Sequence, residues 1–193
     1  MHTVPPFRAD HVGSLLRTPD VLQARDDFAQ GRISAADKRL IEDAAIRAVV
    51  RMQEDIGLQG VTDGEYRRSW WHYDFFGMLD GVEVYEIDHG IQFQGVQTKP
   101  RALGIVGKIG FSNHPMIDHF KFLKAHTKVT PKMTIPAPSV MHFRLEPDAV
   151  KNGAYKNRDV IFDDLAVAYQ KAVRAFYHAG CRYLQFDDTA WAY

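Results

Sequence analysis

The chain has 193 residues, of which 46% are hydrophobic, 12% aromatic and 25% charged, a composition that supplies a packed core with an ordinary soluble surface and argues against disorder. Its 24 Lys and Arg balance its 24 Asp and Glu, which leaves no surplus positive potential to hold nucleic acid or anionic lipid. The single cysteine, Cys181, cannot close an internal disulfide, no stretch approaches the roughly 18 apolar residues of a membrane span, and residues 1–6 lack a secretory layout, so a cytoplasmic protein is expected.

In chain order, Phe7 to Ser14 reads as a short strand running into a loop at Gly13, and Thr18-Pro19-Asp20 opens a helix, Pro being favoured in a first helical turn. From Ser34 the pattern is strongly helical. Ser34 caps, Asp37 stands at the capping-box distance, Ile41, Ala45, Ala48, Val49, Met52 and Ile56 recur at helical spacing, and Gly57 ends the run. Leu58 to Thr62 forms a short buried strand that stops at Asp63-Gly64-Glu65. Val82 to Tyr85 and Ile91 to Gln94, separated by Asp88-His89-Gly90, predict an inserted β-hairpin.

Ala102 to Val106 is then a third core strand, Pro115 to His126 a helix, and Met133 to Ile135 a fourth strand followed by the loop Pro136-Ala137-Pro138-Ser139. Val160 to Ala179 forms a long helix closed by Gly180, and Tyr183 to Phe186 a fifth strand ending at Asp187-Asp188. Strands that alternate with helices predict an α/β fold built from right-handed βαβ units. No repeat or interdomain linker is evident, so residues 1–193 are expected to form one domain.

In folds of this class the active site gathers where parallel strands end. Three strand ends here are polar: His11 to Ser14, Asp63 to Glu65, and Asp187-Asp188. Taken singly, Ser14 reads as a turn hydroxyl, Glu65 as a salt-bridge partner of Arg67 or Arg68, and Asp187 as a helix-capping carboxylate; their arrival at one sheet edge favours a site. Glu65 and Asp187 are expected to converge on one cleft with Ser14, and without ligand at least one of the pair should hold a raised pKa or bind an Arg or an ordered cation. His11 is a weaker pocket candidate. His114 and His119, five apart, miss the spacing of a helical metal pair, and His72 lies in an aromatic run that reads as packing.

The ordered segments Ala9-Asp10-His11-Val12-Gly13-Ser14-Leu15-Leu16, Gly60-Val61-Thr62-Asp63-Gly64-Glu65-Tyr66-Arg67-Arg68, Met133-Thr134-Ile135-Pro136-Ala137-Pro138 and Leu184-Gln185-Phe186-Asp187-Asp188-Thr189-Ala190 resemble the C-terminal barrel of the cobalamin-independent methionine synthase family, in its short methionine-synthase-like branch. The resemblance implies a (β/α)8 TIM-type barrel of which this chain holds about the first five βα units, the full fold needing roughly 250 residues. It further implies an S-methyltransferase of methionine biosynthesis, with Ser14, Glu65 and Asp187 as substrate-binding residues for the amino-acid end of homocysteine. An amino acid offers an ammonium to Glu65 and Asp187 and a carboxylate to Ser14.

In the family a zinc ion activates the thiol, and its His, Cys, Glu and Cys ligands follow the fifth strand. They are therefore expected after Tyr193, with no metal ligand in this chain, and Cys181 reads as core. The donor implied is a folate, although His142 stands where the folate enzymes place a tryptophan, so another donor or thiol remains open. Expected partners are the thiol substrate, the methyl donor, and the rest of the barrel or an oligomeric partner over the open edge. Two other readings stand beside this one: a non-catalytic binding or assembly subunit or fragment, and a uroporphyrinogen-decarboxylase-like barrel enzyme.

Overall fold

The structure is a computed structural model that describes residues 9–87, 101–151 and 153–189. These divide into two compact units: residues up to Arg68 with Ile117–Thr134 and Phe176–Gln185, and Ser69–Met116 with Ile135–Ala175 and the residues from Phe186 on.

In the first unit, Thr18 caps helix α1 (Pro19–Ala29) by accepting the Val21 N–H, with Pro19 opening the helix. Ser34 caps α2 (Ala35–Asp55) in a full capping box with Asp37. Gly57, at φ +88°, ends that helix as the sequence predicts. The core cluster joins Val21 of α1 and Ile46, Val49 and Val50 of α2 to Val61, Tyr66 and Leu123, all under 7% exposed. Burial at about 25 cal/mol per Å² of apolar surface makes this cluster a stabiliser of the unit.

Strand β1 (Gly60–Val61) pairs in parallel with β4 (Thr130–Pro136), Gly60 opposite Thr130 and Val61 opposite Pro131. With β6 (Tyr183–Asp187) they form a sheet of order β1-β4-β6. Helices α4 (Met116–Ala125) and α6 (Arg158–Ala179) fall where the helical spacing places them. No helix among the described residues is long and apolar enough to cross a membrane.

In the second unit a short helix α3 (Tyr73–Phe76) precedes β2 (Asp80–Glu86), which pairs antiparallel with β3 (Arg101–Gly110); β3 in turn pairs in parallel with β5 (Leu145–Val150) after helix α5 (Pro138–Arg144).

The α/β class holds, and among the described residues the strands fall in two three-stranded sheets, β1-β4-β6 and β2-β3-β5. The third predicted strand becomes β3 of a separate mixed sheet, because β2 occupies one of its edges in antiparallel register. Of the predicted hairpin, Val82 to Tyr85 lies in β2 and pairs with β3, while Ile91 to Gln94 lies outside the described residues. The predicted first strand is also absent over its described part, since residues 9–14 take no ladder. They form an extended strap whose backbone groups are satisfied by side chains instead. The loop predicted after Pro136 continues as α5, Pro138 sitting in its first turn.

Candidate functional site

The turn after β1 carries the most constrained residue of the chain. Gly64 and Glu65 lie consecutively in the left-handed region, at φ +66° and +59°, and Glu65 is the one non-glycine with positive φ among the described residues. That conformation costs an L-residue about 1–2 kcal/mol. The turn is held in it by a dense set of bonds. Glu65 N–H donates to Asp63 Oδ1 at 2.9 Å, Arg17 donates to the carbonyls of Glu65 at 3.3 Å and Arg68 at 2.7 Å, and Arg25 donates to the carbonyls of Tyr66 at 2.8 Å and of Arg68.

The effect is to aim a buried carboxylate. Glu65 is 5% exposed. Its Oε1 accepts the Thr134 hydroxyl at 2.9 Å and meets Arg68 Nη1 at 3.4 Å. The contact to Arg68 is longer than the 2.7–2.9 Å of a strong charge-assisted hydrogen bond. Arg68 spends its better bonds elsewhere, on the Thr134 carbonyl at 2.5 Å and the Met133 sulfur at 3.3 Å. The expected Arg partner of Glu65 is thus present, as Arg68.

The strap of residues 10–16 runs beside this carboxylate. A Cβ on Gly13, at φ +131°, would stand 2.7 Å from Thr134 Cγ2 and 3.3 Å from Glu65 Oε1, so only glycine fits there. Thr62 Oγ1 donates to the Gly13 carbonyl at 2.6 Å, Leu15 N–H to the Gly64 carbonyl at 3.1 Å, Tyr66 Oη to the Leu16 carbonyl at 2.8 Å, and Gln185 Nε2 to the Val12 carbonyl at 3.0 Å.

Ser14 sits on this strap with its side chain exposed. His11 has both ring nitrogens committed to the fold: Nδ1 accepts the Gly13 N–H at 3.2 Å, which leaves the Nε2 proton for Gln53 Oε1 at 3.0 Å. It shapes the strap from behind. Ser14, His11 and Glu65 therefore belong to one unit. Asp187 ends β6 in the other unit, half-buried, its carbonyl accepting the Ala137 N–H at 2.9 Å.

Sequence reading missed Thr134 and Lys132. Lys132 is 1% exposed, and its Nζ bonds to Asp10 Oδ1 at 3.1 Å, Asp10 Oδ2 at 3.0 Å and the His11 carbonyl at 2.5 Å. The missed signal was parity: Lys132 and Thr134, two apart on a strand, share the face that bears the site. Elsewhere, His114 is buried with Nε2 against the Phe75 carbonyl at 3.0 Å. His142 lies on α5, exposed, its ring 5.1 Å from that of Phe162. Cys181 is buried, and burial pushes its thiol up from its ordinary value. Among the described residues no three His, Cys, Asp or Glu side chains gather as a metal site.

An α/β chain with a fixed carboxylate in the turn after a parallel strand, faced by a glycine strap, is of the methionine-synthase fold type: it superposes with a TM-score of 0.81 on a putative vitamin-B12 independent methionine synthase from Listeria monocytogenes, 43% identical, over 100% of this chain and 55% of that one. Residues 7–192 match the family model described as the catalytic domain of cobalamin-independent synthase, and the chain belongs to that family. The uncharacterized protein YxjG of Bacillus subtilis (strain 168) is 51% identical over 192 residues, 97% of this chain and 50% of that protein. A 5-methyltetrahydropteroyltriglutamate–homocysteine methyltransferase of Synechococcus sp. (strain JA-2-3B'a(2-13)) is 29% identical over 193 residues, 97% of this chain and 24% of that protein. The chain thus spans about half the length of YxjG and about a quarter of the longer methyltransferase.

Proposed function

We propose that this chain supplies the amino-acid-binding part of a methyltransferase that transfers a methyl group to a thiol such as homocysteine. The observation that carries the reading is the Glu65 carboxylate: buried, held on a strained backbone, tied by Oε1 to Thr134 and only loosely to Arg68. A carboxylate placed this way is preorganised for a small cation, and the ammonium of an amino acid is the cation that also brings a carboxylate for the adjacent strap. Glu65 takes the ammonium. Ser14 takes the substrate carboxylate, and His11 keeps the strap in shape. The thiol end of the substrate is then left free to react.

The name of the Synechococcus relative, a 5-methyltetrahydropteroyltriglutamate–homocysteine methyltransferase, makes homocysteine the acceptor of choice and a folate the first donor to try. The zinc implied by the family resemblance finds no fit among the described residues, where Cys181 is buried beneath the fold and no ligand cluster forms. The test is calorimetric titration of L-homocysteine and L-methionine into the wild-type chain and Glu65→Gln. Binding that Glu65→Gln weakens supports the reading; absence of binding to the wild type removes it. Stoichiometric zinc and thiol alkylation are expected of the active enzyme, and lack of both would end the enzyme reading.

A further inference from the structure

A lysine ammonium enclosed by the fold is expensive unless something must be held by it. Lys132 is such a group. Its side chain is fully covered, while the Asp10 carboxylate it binds is 31% exposed. Three of the strap's anchors converge there. Lys132 Nζ takes both Asp10 oxygens and the His11 carbonyl, Tyr183 Oη donates to Asp10 Oδ2 at 2.7 Å, and the ammonium also lies 4.8 Å from the Tyr183 ring centroid. Burial raises the Asp10 carboxyl, but the hydrogen bonds from Tyr183 and Lys132 outweigh it and hold the group below its ordinary value; the Tyr183 phenol, bonded to Asp10, is pushed up to about 12. Asp10 therefore stays ionised and Tyr183 protonated across the neutral range.

Two residues on from this cluster, the strap reaches the Gly13 position that packs against Thr134 and Glu65, and then Ser14. Lys132 and Thr134 share one face of β4, so a single strand fixes both the start of the strap and the carboxylate beside it. Nothing in the ladder does this work, since residues 9–14 pair with no strand.

We propose that Lys132 is the positioning residue for the substrate-carboxylate loop: its covered ammonium, clamped on Asp10 and the His11 carbonyl, sets where Gly13 and Ser14 stand beside Glu65. This rests on the reading of Ser14 as the partner of the substrate carboxylate. Lys132 does not touch substrate, so it acts on the half of the ligand that Ser14 meets and spares the half that Glu65 meets.

The test uses two ligands and one ligand-free readout on the full chain. L-Homocysteine and 3-aminopropane-1-thiol, which lacks the carboxylate, are titrated into wild type, Lys132→Met and Lys132→Arg. Lys132→Met should weaken homocysteine by about tenfold or more while leaving the aminothiol within about twofold, and Lys132→Arg should restore part of the loss. Hydrogen exchange at the amides of Gly13 and Leu15, both hydrogen-bonded in the structure, should quicken by about tenfold or more in Lys132→Met and much less at helix α2. If Lys132→Met does not fold, Tyr183→Phe, which removes one bond to Asp10, should show the same pattern at about threefold. Equal loss for both ligands, or unchanged exchange at Gly13 and Leu15, overturns the proposal. Wild type that binds neither ligand overturns the functional reading instead, and the exchange result still decides the role of Lys132.

Discussion

The Thr134 hydroxyl donates to Glu65 Oε1 across 2.9 Å, joining two residues 69 positions apart in the chain. It is the shortest bond to that carboxylate and it comes from the strand next to β1 in the sheet. Thr134→Val keeps the shape and removes the donor. It is expected to lower stability by about 1–2 kcal/mol and to weaken amino-acid binding by about fivefold to tenfold, read by chemical denaturation and calorimetry. Unchanged binding would show that the aim of the carboxylate is set by the backbone alone.

Glu65 itself separates structure from function. At φ +59°, Glu65→Gly relieves the left-handed strain while Glu65→Ala retains it, so the glycine variant should be the more stable of the two by about 1 kcal/mol. Both should lose ligand binding. Loss of binding in a variant at least as stable as the alanine form assigns the carboxylate to ligand and not to folding.

Gly13 gives the complementary case. A methyl group there would press on Thr134 Cγ2 at 2.7 Å and Oγ1 at 2.9 Å, on a backbone that already disfavours it. Gly13→Ala is expected to destabilise by about 2–4 kcal/mol and to abolish binding. Gly57→Ala, at φ +88° with nothing within 4 Å of the added carbon, should cost about 1 kcal/mol and leave binding intact.

Much of this was legible in the sequence, for identifiable reasons. The helix start at Thr18-Pro19-Asp20, the Ser34 cap and the stop at Gly57 are local, short-range chemistry, and they appear as read. The Glu65 turn was found because a carboxylate stands just beyond the C-terminal end of an apolar strand, where sites of this fold class gather. The strap and the second sheet were not found, since both depend on partners far along the chain: Lys132 is 122 residues from Asp10, and β2 meets β3 across residues whose spacing looks like any other strand run. Lys132 reads as a surface residue until the parity of β4 is known. His11, read as a pocket residue, is spent on Gln53 and Gly13.

Two histidines give the stability a pH dependence of definite sign. Burial, then the nearby Arg144, lowers His72 to about 3; burial, then Arg67, lowers His119 to about 4. Each is neutral in the fold and titrates near 6.5 when unfolded, so its contribution is complete above about pH 6.5 and drains away as pH falls toward those lowered values. Between about pH 6 and 5, ahead of the carboxylates, the unfolded chain binds up to two more protons, a slope of at most about 2.7 kcal/mol per pH unit. Neither ring nitrogen of the 1%-exposed His72 has a hydrogen-bond partner among the described residues. His72→Phe should therefore change stability at pH 7.5 by less than about 1 kcal/mol and roughly halve the acid slope. Denaturant titrations at pH 7.5, 6.0 and 5.0 measure both; an unaltered slope would mean that His72 is protonated in the fold.

The central claim is that the Glu65 carboxylate receives an amino-acid ammonium, and titration of L-homocysteine into wild type and Glu65→Gln tests it most directly. The charge is removed with the shape of the side chain and the Thr134 contact kept. A hydrogen bond to a charged group contributes about 1.5–3 kcal/mol, so wild type should bind and Glu65→Gln should bind about 10-fold to 150-fold more weakly. Equal affinity in the two proteins would contradict the account.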